Sequence, residues 1–140
     1  MGESKNLALM SNGAKVLQVS SNWGGGKNDS SYGANSAIDS SRSSAWSSAS
    51  DGDNAFIEIE FPKNVETKYI KVWTRSMSNN TAQIFSFSIT DDSGKVFGPF
   101  ELPDATKAYQ FELKTKTKTL KMQALKTNTG NTGLVEFKVY

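Results

Sequence analysis

The chain has 140 residues, 16 basic and 14 acidic for a net charge of +2, and contains neither cysteine nor histidine. That length makes one domain, 1–140, with a core that needs no metal or disulfide to form. The balanced charge excludes nucleic-acid binding from bulk electrostatics. Without His or Cys, catalytic triads, thiol chemistry and most transition-metal sites drop out together.

No apolar run approaches the ~18 residues of a membrane span. The opening Met1-Gly2-Glu3-Ser4-Lys5 carries no hydrophobic signal segment. Either the protein is cytosolic or this is an excised piece of a larger secreted protein, and the Met-Gly start favours the second.

Strand signals dominate from there. Ala14–Ser20 reads as a short strand. A polar stretch, Ser20 to Ser36, follows and contains Trp23-Gly24-Gly25-Gly26; a second covers Ser40 to Asn54. Ala55–Phe61 alternates, with Ile57, Ile59 and Phe61 inward and Glu58 and Glu60 in water, until Pro62 ends it. In Tyr69–Trp73, Ile70 and Val72 alternate with Lys71. After a polar loop, Thr74 to Gln83, the triplet Phe85, Phe87 and Ile89 makes one apolar face. Asp91-Asp92-Ser93-Gly94 is a turn into Lys95-Val96-Phe97. Tyr109, Phe111 and Leu113 line a further strand. Leu120, Met122 and Ala124 line the next; a loop, Thr127 to Gly133, leads to Val135, Phe137 and Val139. About eight short antiparallel strands and no sustained 3.6-residue period predict an all-β sandwich or barrel.

Two segments stand out chemically. Ala34–Ser48 packs Asp39, hydroxyls and small turn residues before Trp46, which reads as core. A second carboxylate, Glu136, follows about ninety positions on. Oxygen donors so far apart point to a calcium ion tying distant loops together. The plain alternative has Asp39 capping its own turn and Glu136 facing solvent.

Asp39, Ser44 and Trp46, with Ala37 in front, resemble the Asp-Gly-…-Thr-x-Trp signature of discoidin domains. These are also called factor V/VIII type C domains and include carbohydrate-binding modules of family 32. Arg75 after the strand of Trp73, the run Phe85–Gly94 and the ending Asn131–Tyr140 resemble further pieces of that family, in order. The resemblance implies a discoidin-like jelly-roll β-sandwich and structural calcium. Asp39 and Glu136 would give carboxylate oxygens, Ser44 a hydroxyl or carbonyl, and Ser36 and Ser41 backbone oxygens. It also implies a non-catalytic module that anchors a larger secreted protein or glycan-degrading enzyme to polysaccharide. The setting is extracellular and microbial, since the cysteine pair of animal members is missing. Glycan and the other domains of a parent protein are the expected partners, and the chain is expected to be a monomer. The alternative is a discoidin-type adhesion domain binding protein or phospholipid. Ser40 and Ser41 depart from the family's usual Gly-Asn or Gly-Asp.

Sugar recognition needs an aromatic face and a few fixed polar groups. Trp23, flanked by Asn22 and three glycines, is the best exposed platform. Arg75 and Asn80 resemble the family's sugar-contacting Arg and Asn; Asn79 is a near-equivalent donor, and Asn128 is within reach of the same ligand. The plainer readings pair Arg75 with Asp91 or Glu58, fold Trp23 back as a core plug, and make Asn79-Asn80-Thr81 a bare turn. Lys114, Lys116 and Lys118 alternate on one strand face. They either hold an anionic polymer or guard an edge strand against aggregation.

Overall fold

The alternating run after Ala55 becomes the spine of the molecule, a strand β3 (Phe56–Glu66) that buries Ile57, Ile59 and Phe61. The structure, a computed structural model, describes residues 5–41 and 43–140; the Met1–Ser4 start and Arg42 lie outside it. In chain order the other strands are β1 (Lys15–Val19), β2 (Trp46–Ser47), β4 (Tyr69–Thr74), β5 (Ile84–Asp91), β6 (Val96–Glu101), β7 (Tyr109–Glu112), β8 (Lys116–Thr127) and β9 (Gly133–Val139). They form two antiparallel sheets, ordered β1-β3-β8-β5-β6 and β2-β9-β4-β7. The discoidin-like sandwich is therefore the observed fold. The described residues hold nine strands rather than about eight; the added one is β2, two residues long and too short to leave a pattern.

The core lies between the sheets. Ile57, Ile59, Phe61, Phe87, Ile89, Leu120 and Met122 face Ile70, Val72, Leu134, Phe137 and Val139. Each such side chain stabilises the fold by about 1.5–3 kcal/mol on burial. Trp46 is fully buried as expected, and its indole N–H donates to the Ser21 carbonyl at 3.0 Å.

Bulges account for the departures from simple alternation. Pro62 does not end β3: the ladder with β8 shifts register between Glu60 and Val65, and the proline sits in that break, where its missing N–H costs nothing. On β5 the register slips around Ser86, so Phe87 and Ile89 face inward with Ile84, while Phe85 is only half-buried. On β9 the slip opposite Trp73 and Thr74 puts Leu134 in the core and leaves Val135 half-buried. One extra residue flips every side chain beyond it. Glu136 alternates with Phe137 and so lies on the face away from the core, yet it is not solvent-facing: it is 5% exposed.

Antiparallel pairing sorts the connections by end. Residues 20–55, 75–83 and 128–132 leave strand ends at one pole. The turns after β3, β5 and β7 lie at the other, where Asn6 and Leu7 bond Val139.

Candidate functional site

The loops of the first pole are tied to one another. Ser21 donates its hydroxyl to Asp51 at 2.6 Å and accepts the Ala49 amide at 2.8 Å. Asn131 Oδ1 accepts the amide and hydroxyl of Ser50 at 2.9 and 3.0 Å, and the Thr132 hydroxyl donates to the Gly52 carbonyl at 2.8 Å. Tyr32, Ser50, Asn80, Ala82 and Thr129 all adopt positive φ here, between 62° and 72°. Non-glycine residues stay left-handed only where surrounding bonds over-determine them, and such strain clusters at functional sites. The rim is preorganised.

Trp23 opens a single turn, Trp23–Gly25, in which Gly24 and Gly25 take φ of 69° and 71°. A Cβ on either glycine would meet nothing within 4 Å, and Trp23 itself is 50% exposed. Behind it, buried Asn22 staples the loop: Nδ2 donates to the Gly26 carbonyl and to Asn28 Oδ1, and Oδ1 accepts the Ala34 amide. Trp23 is half-exposed and is not a core plug.

The structure brings Trp23 and Arg75 together through Tyr32, which the sequence reading missed. The Tyr32 ring is 46% exposed and meets Trp23 edge-to-face at 5.8 Å. The Arg75 guanidinium lies 5.2 Å over the same ring, a stable cation–π distance. Its Nη1 donates to the Asn131 carbonyl at 2.9 Å. Partial burial lowers the Arg75 pKa, the neighbouring Tyr32 hydroxyl opposing that shift; the group stays a cation at any working pH. Among the described residues no carboxylate pairs with Arg75, so the predicted contacts with Asp91 or Glu58 are not made. An aromatic in a polar loop without apolar partners at strand spacing was the available signal for Tyr32.

The asparagines divide. Asn79 Oδ1 accepts the amide and hydroxyl of Thr81 and caps its own turn. Asn128 is committed at both ends, accepting the Gln83 amide at 2.7 Å and donating to the Asn80 carbonyl. Asn80 keeps an exposed carboxamide with no partner among the described residues. Asp51 and Asp53 accept hydroxyls from Ser21 and Thr127 and belong to the loop frame. The rim thus offers two aromatic faces, a forked cation and an open amide: groups that bind.

Beyond Tyr32 lies a shallow cleft of about 280 Å³ lined by Ser31, Ser36, Ser43, Ser44 and Ala45. Here Asp39 Oδ1 accepts the Ser41 amide at 3.0 Å, and Oδ2 accepts the Ser44 hydroxyl at 2.6 Å. The turn-capping geometry of Asp39 is therefore present. Ser40 takes φ 67°, a conformation glycine adopts freely, which explains why a family with Gly there tolerates this turn. Ser36 and Asp39 share a second cleft of about 210 Å³ with Asn35. Glu136 has Lys138 at 3.7 Å as its ion-pair partner. No group of three or more acidic side chains that could hold a metal is found among the described residues; a cation here would need hydroxyl and carbonyl oxygens, a donor type calcium accepts.

A sequence profile of the F5/8 type C domain matches residues 17–137, and the chain belongs to that family. No curated protein matches the chain. Among solved structures, the chain is similar to a family 32 carbohydrate-binding module of Clostridium perfringens NanJ in complex with galactose, at 16% identity and TM-score 0.78, covering 96% of this chain and 97% of that one. It is similar to a second Clostridium perfringens family 32 module, in complex with GalNAc-β-1,3-galactose, at 18% identity and TM-score 0.76, over 97% and 99% of the two chains. A chitosan-binding module of Paenibacillus sp. IK-5, in complex with chitotriose, gives 18% identity and TM-score 0.67 over 96% and 99%.

Proposed function

We propose that this chain is a non-catalytic carbohydrate-binding module, acting outside the cell as a monomer and anchoring a larger protein or glycan-degrading enzyme to polysaccharide. The observation that carries the reading is the rim itself: two half-exposed rings, Trp23 and Tyr32, meet beside the Arg75 guanidinium. An indole face packs against the C–H surface of a sugar, while Arg75 and Asn80 bond its hydroxyls. Solved modules of the same fold hold galactose, GalNAc-β-1,3-galactose and chitotriose. The rim is shallow, so single-site affinity is modest and the module works by raising local concentration. Asn6, Leu7 and Val139 lie at the opposite pole, so the rim faces away from these terminal segments of the described chain. The adhesion alternative needs apolar spikes, and Met77 is half-buried with its sulfur accepting the Thr81 hydroxyl at 3.8 Å.

Calcium completes the proposal as a structural ion, with Asp39 and Glu136 supplying carboxylates, Ser44 a hydroxyl or carbonyl, and Ser36 and Ser41 backbone oxygens. Buried Glu136, paired only distantly with Lys138, is a carboxylate that a cation would stabilise.

A glycan array with wild type, Trp23→Ala and Tyr32→Ala tests the reading. We expect each substitution to lower affinity for the bound glycan about two- to tenfold, since a lost ring contact is worth about 0.5–1.5 kcal/mol. Unchanged binding in both variants, or no glycan bound by wild type, refutes it.

A further inference from the structure

The run Lys114–Thr119 has no place in the rim, because β8 begins at the opposite pole. It guards no edge either: β8 lies in the middle of its sheet, between β3 and β5. Instead Lys68, Lys114 and Lys116 line one cleft of about 350 Å³ with Glu66, Thr67 and Thr115.

Its floor is rigid. The buried Thr67 hydroxyl donates to the Leu113 carbonyl at 2.5 Å and accepts the Thr115 amide at 3.1 Å, while the Thr67 amide donates to the Thr115 carbonyl at 2.8 Å. The Thr115 hydroxyl donates to Asp91 at 2.7 Å. The turns after β3 and β7 are thereby locked together, and their lysines are mounted on a fixed frame.

The charges on that frame are poorly neutralised. Lys114 pairs with Glu112 at 3.6 Å, but both side chains are more than 70% exposed, so the pair is worth little. Glu66 stands opposite Lys116 on the β3–β8 ladder, yet Lys68 and Lys116 close no ion pair among the described residues. Nearby Asp91 is committed to Ser93, Lys95 and Thr115, and Asp92 to the Lys118 amide. Converging like charges cost free energy that an anionic ligand would offset.

We propose that this cleft is a second binding site, for a polysaccharide carrying fixed carboxylate or sulfate groups, held by Lys68, Lys114 and Lys116. Alternate residues on a strand stand about 6.6 Å apart, so Lys116 and Lys118 on β8 extend the cleft's charges into a row suited to anions repeated along a polymer. No aromatic ring lines the cleft, which leaves nothing for a nucleic-acid base to stack on. Rim and cleft lie at opposite poles and can be filled at once.

The test is titration of the whole chain with polygalacturonate, which carries carboxylates, with dextran sulfate, and with polyglutamate as an acidic polypeptide. We expect at least one of the two polysaccharides to bind. The triple variant Lys68→Gln/Lys114→Gln/Lys116→Gln should then lose at least about tenfold in affinity. A matched triple of exposed lysines at the other pole, Lys27→Gln/Lys107→Gln/Lys126→Gln, should lose less than about threefold. Trp23→Ala should leave this binding unchanged. Which polysaccharide binds more tightly separates carboxylate from sulfate. The proposal is overturned by binding of neither, by equal losses in the two triples, by polyglutamate held as tightly, or by loss in Trp23→Ala.

Discussion

Asp91 joins the hairpin between β5 and β6 to the turn that frames the lysine cleft. Its Oδ1 accepts the amides of Ser93 and Lys95 at 3.0 Å each and the Ser93 hydroxyl at 2.7 Å; its Oδ2 accepts the Thr115 hydroxyl. Desolvation pushes the carboxyl up, but the hydroxyls of Ser93 and Thr115 and the amides of Lys95 and Ser93 outweigh it and hold the pKa at about 2, against an ordinary 3.8. At about 1.4 kcal/mol per pH unit, that gap gives an upper figure of about 2.5 kcal/mol. Asp91 is only 7% exposed, but a thin layer of protein covers it, and solvent screening brings the contribution to about 1–2 kcal/mol. The group is depressed on folding, so its stabilisation is complete above pH 5 and is lost as pH falls from about 4 toward 2. Asp91→Asn should therefore unfold at lower urea than wild type at pH 7, with a melting temperature about 3–8 °C lower. The gap between the two proteins should shrink to about a third of its pH 7 size by pH 2.5. Taking the difference between them cancels the titration of every other carboxylate. A gap of the same size at pH 7 and pH 2.5 would show that Asp91 acts through shape and not through charge.

Two further outcomes are expected. If the loop around Asp39 holds calcium, a hundredfold excess over its Kd stabilises the fold by about 2.7 kcal/mol, and Asp39→Ala abolishes that response; identical melting midpoints in calcium and in EDTA remove the ion from the structure. Gly133 pairs with Ser47, and a Cβ there would lie 1.8 Å from the Trp46 carbonyl oxygen. Gly133→Ala should then separate β2 from β9 at a cost above about 3 kcal/mol, read as a melting temperature lower by at least about 8 °C. A shift below 2 °C would mean that the strands part without consequence.

Alternation identified Ile57, Ile59, Ile70 and Val72 as core because inward and outward positions follow from the backbone of one strand. The turn at Asp91–Gly94 was legible for a similar reason: Asp91 bonds residues two and four positions away, and Gly94 takes φ 87°. The family signature around Asp39 and Trp46 is equally local, and with it came the sandwich; Trp23 stood out separately, by the three glycines that follow it.

Bulges belong to pairs of strands, so the phase of Phe85 and Val135 depended on partners, Lys126 and Trp73 among them, that lie far along the chain. Tyr32 joined the candidate site only when residues 23, 32, 75 and 131 met at one pole, and the Asn128 carboxamide came to tie two loops by the same convergence. The lysine run changed meaning once β8 proved central. In each case the deciding contact spans tens of residues. Local pattern specifies which way a side chain points from its own strand; which neighbours it then meets is set by sheet order and register, and those exist only in the folded chain.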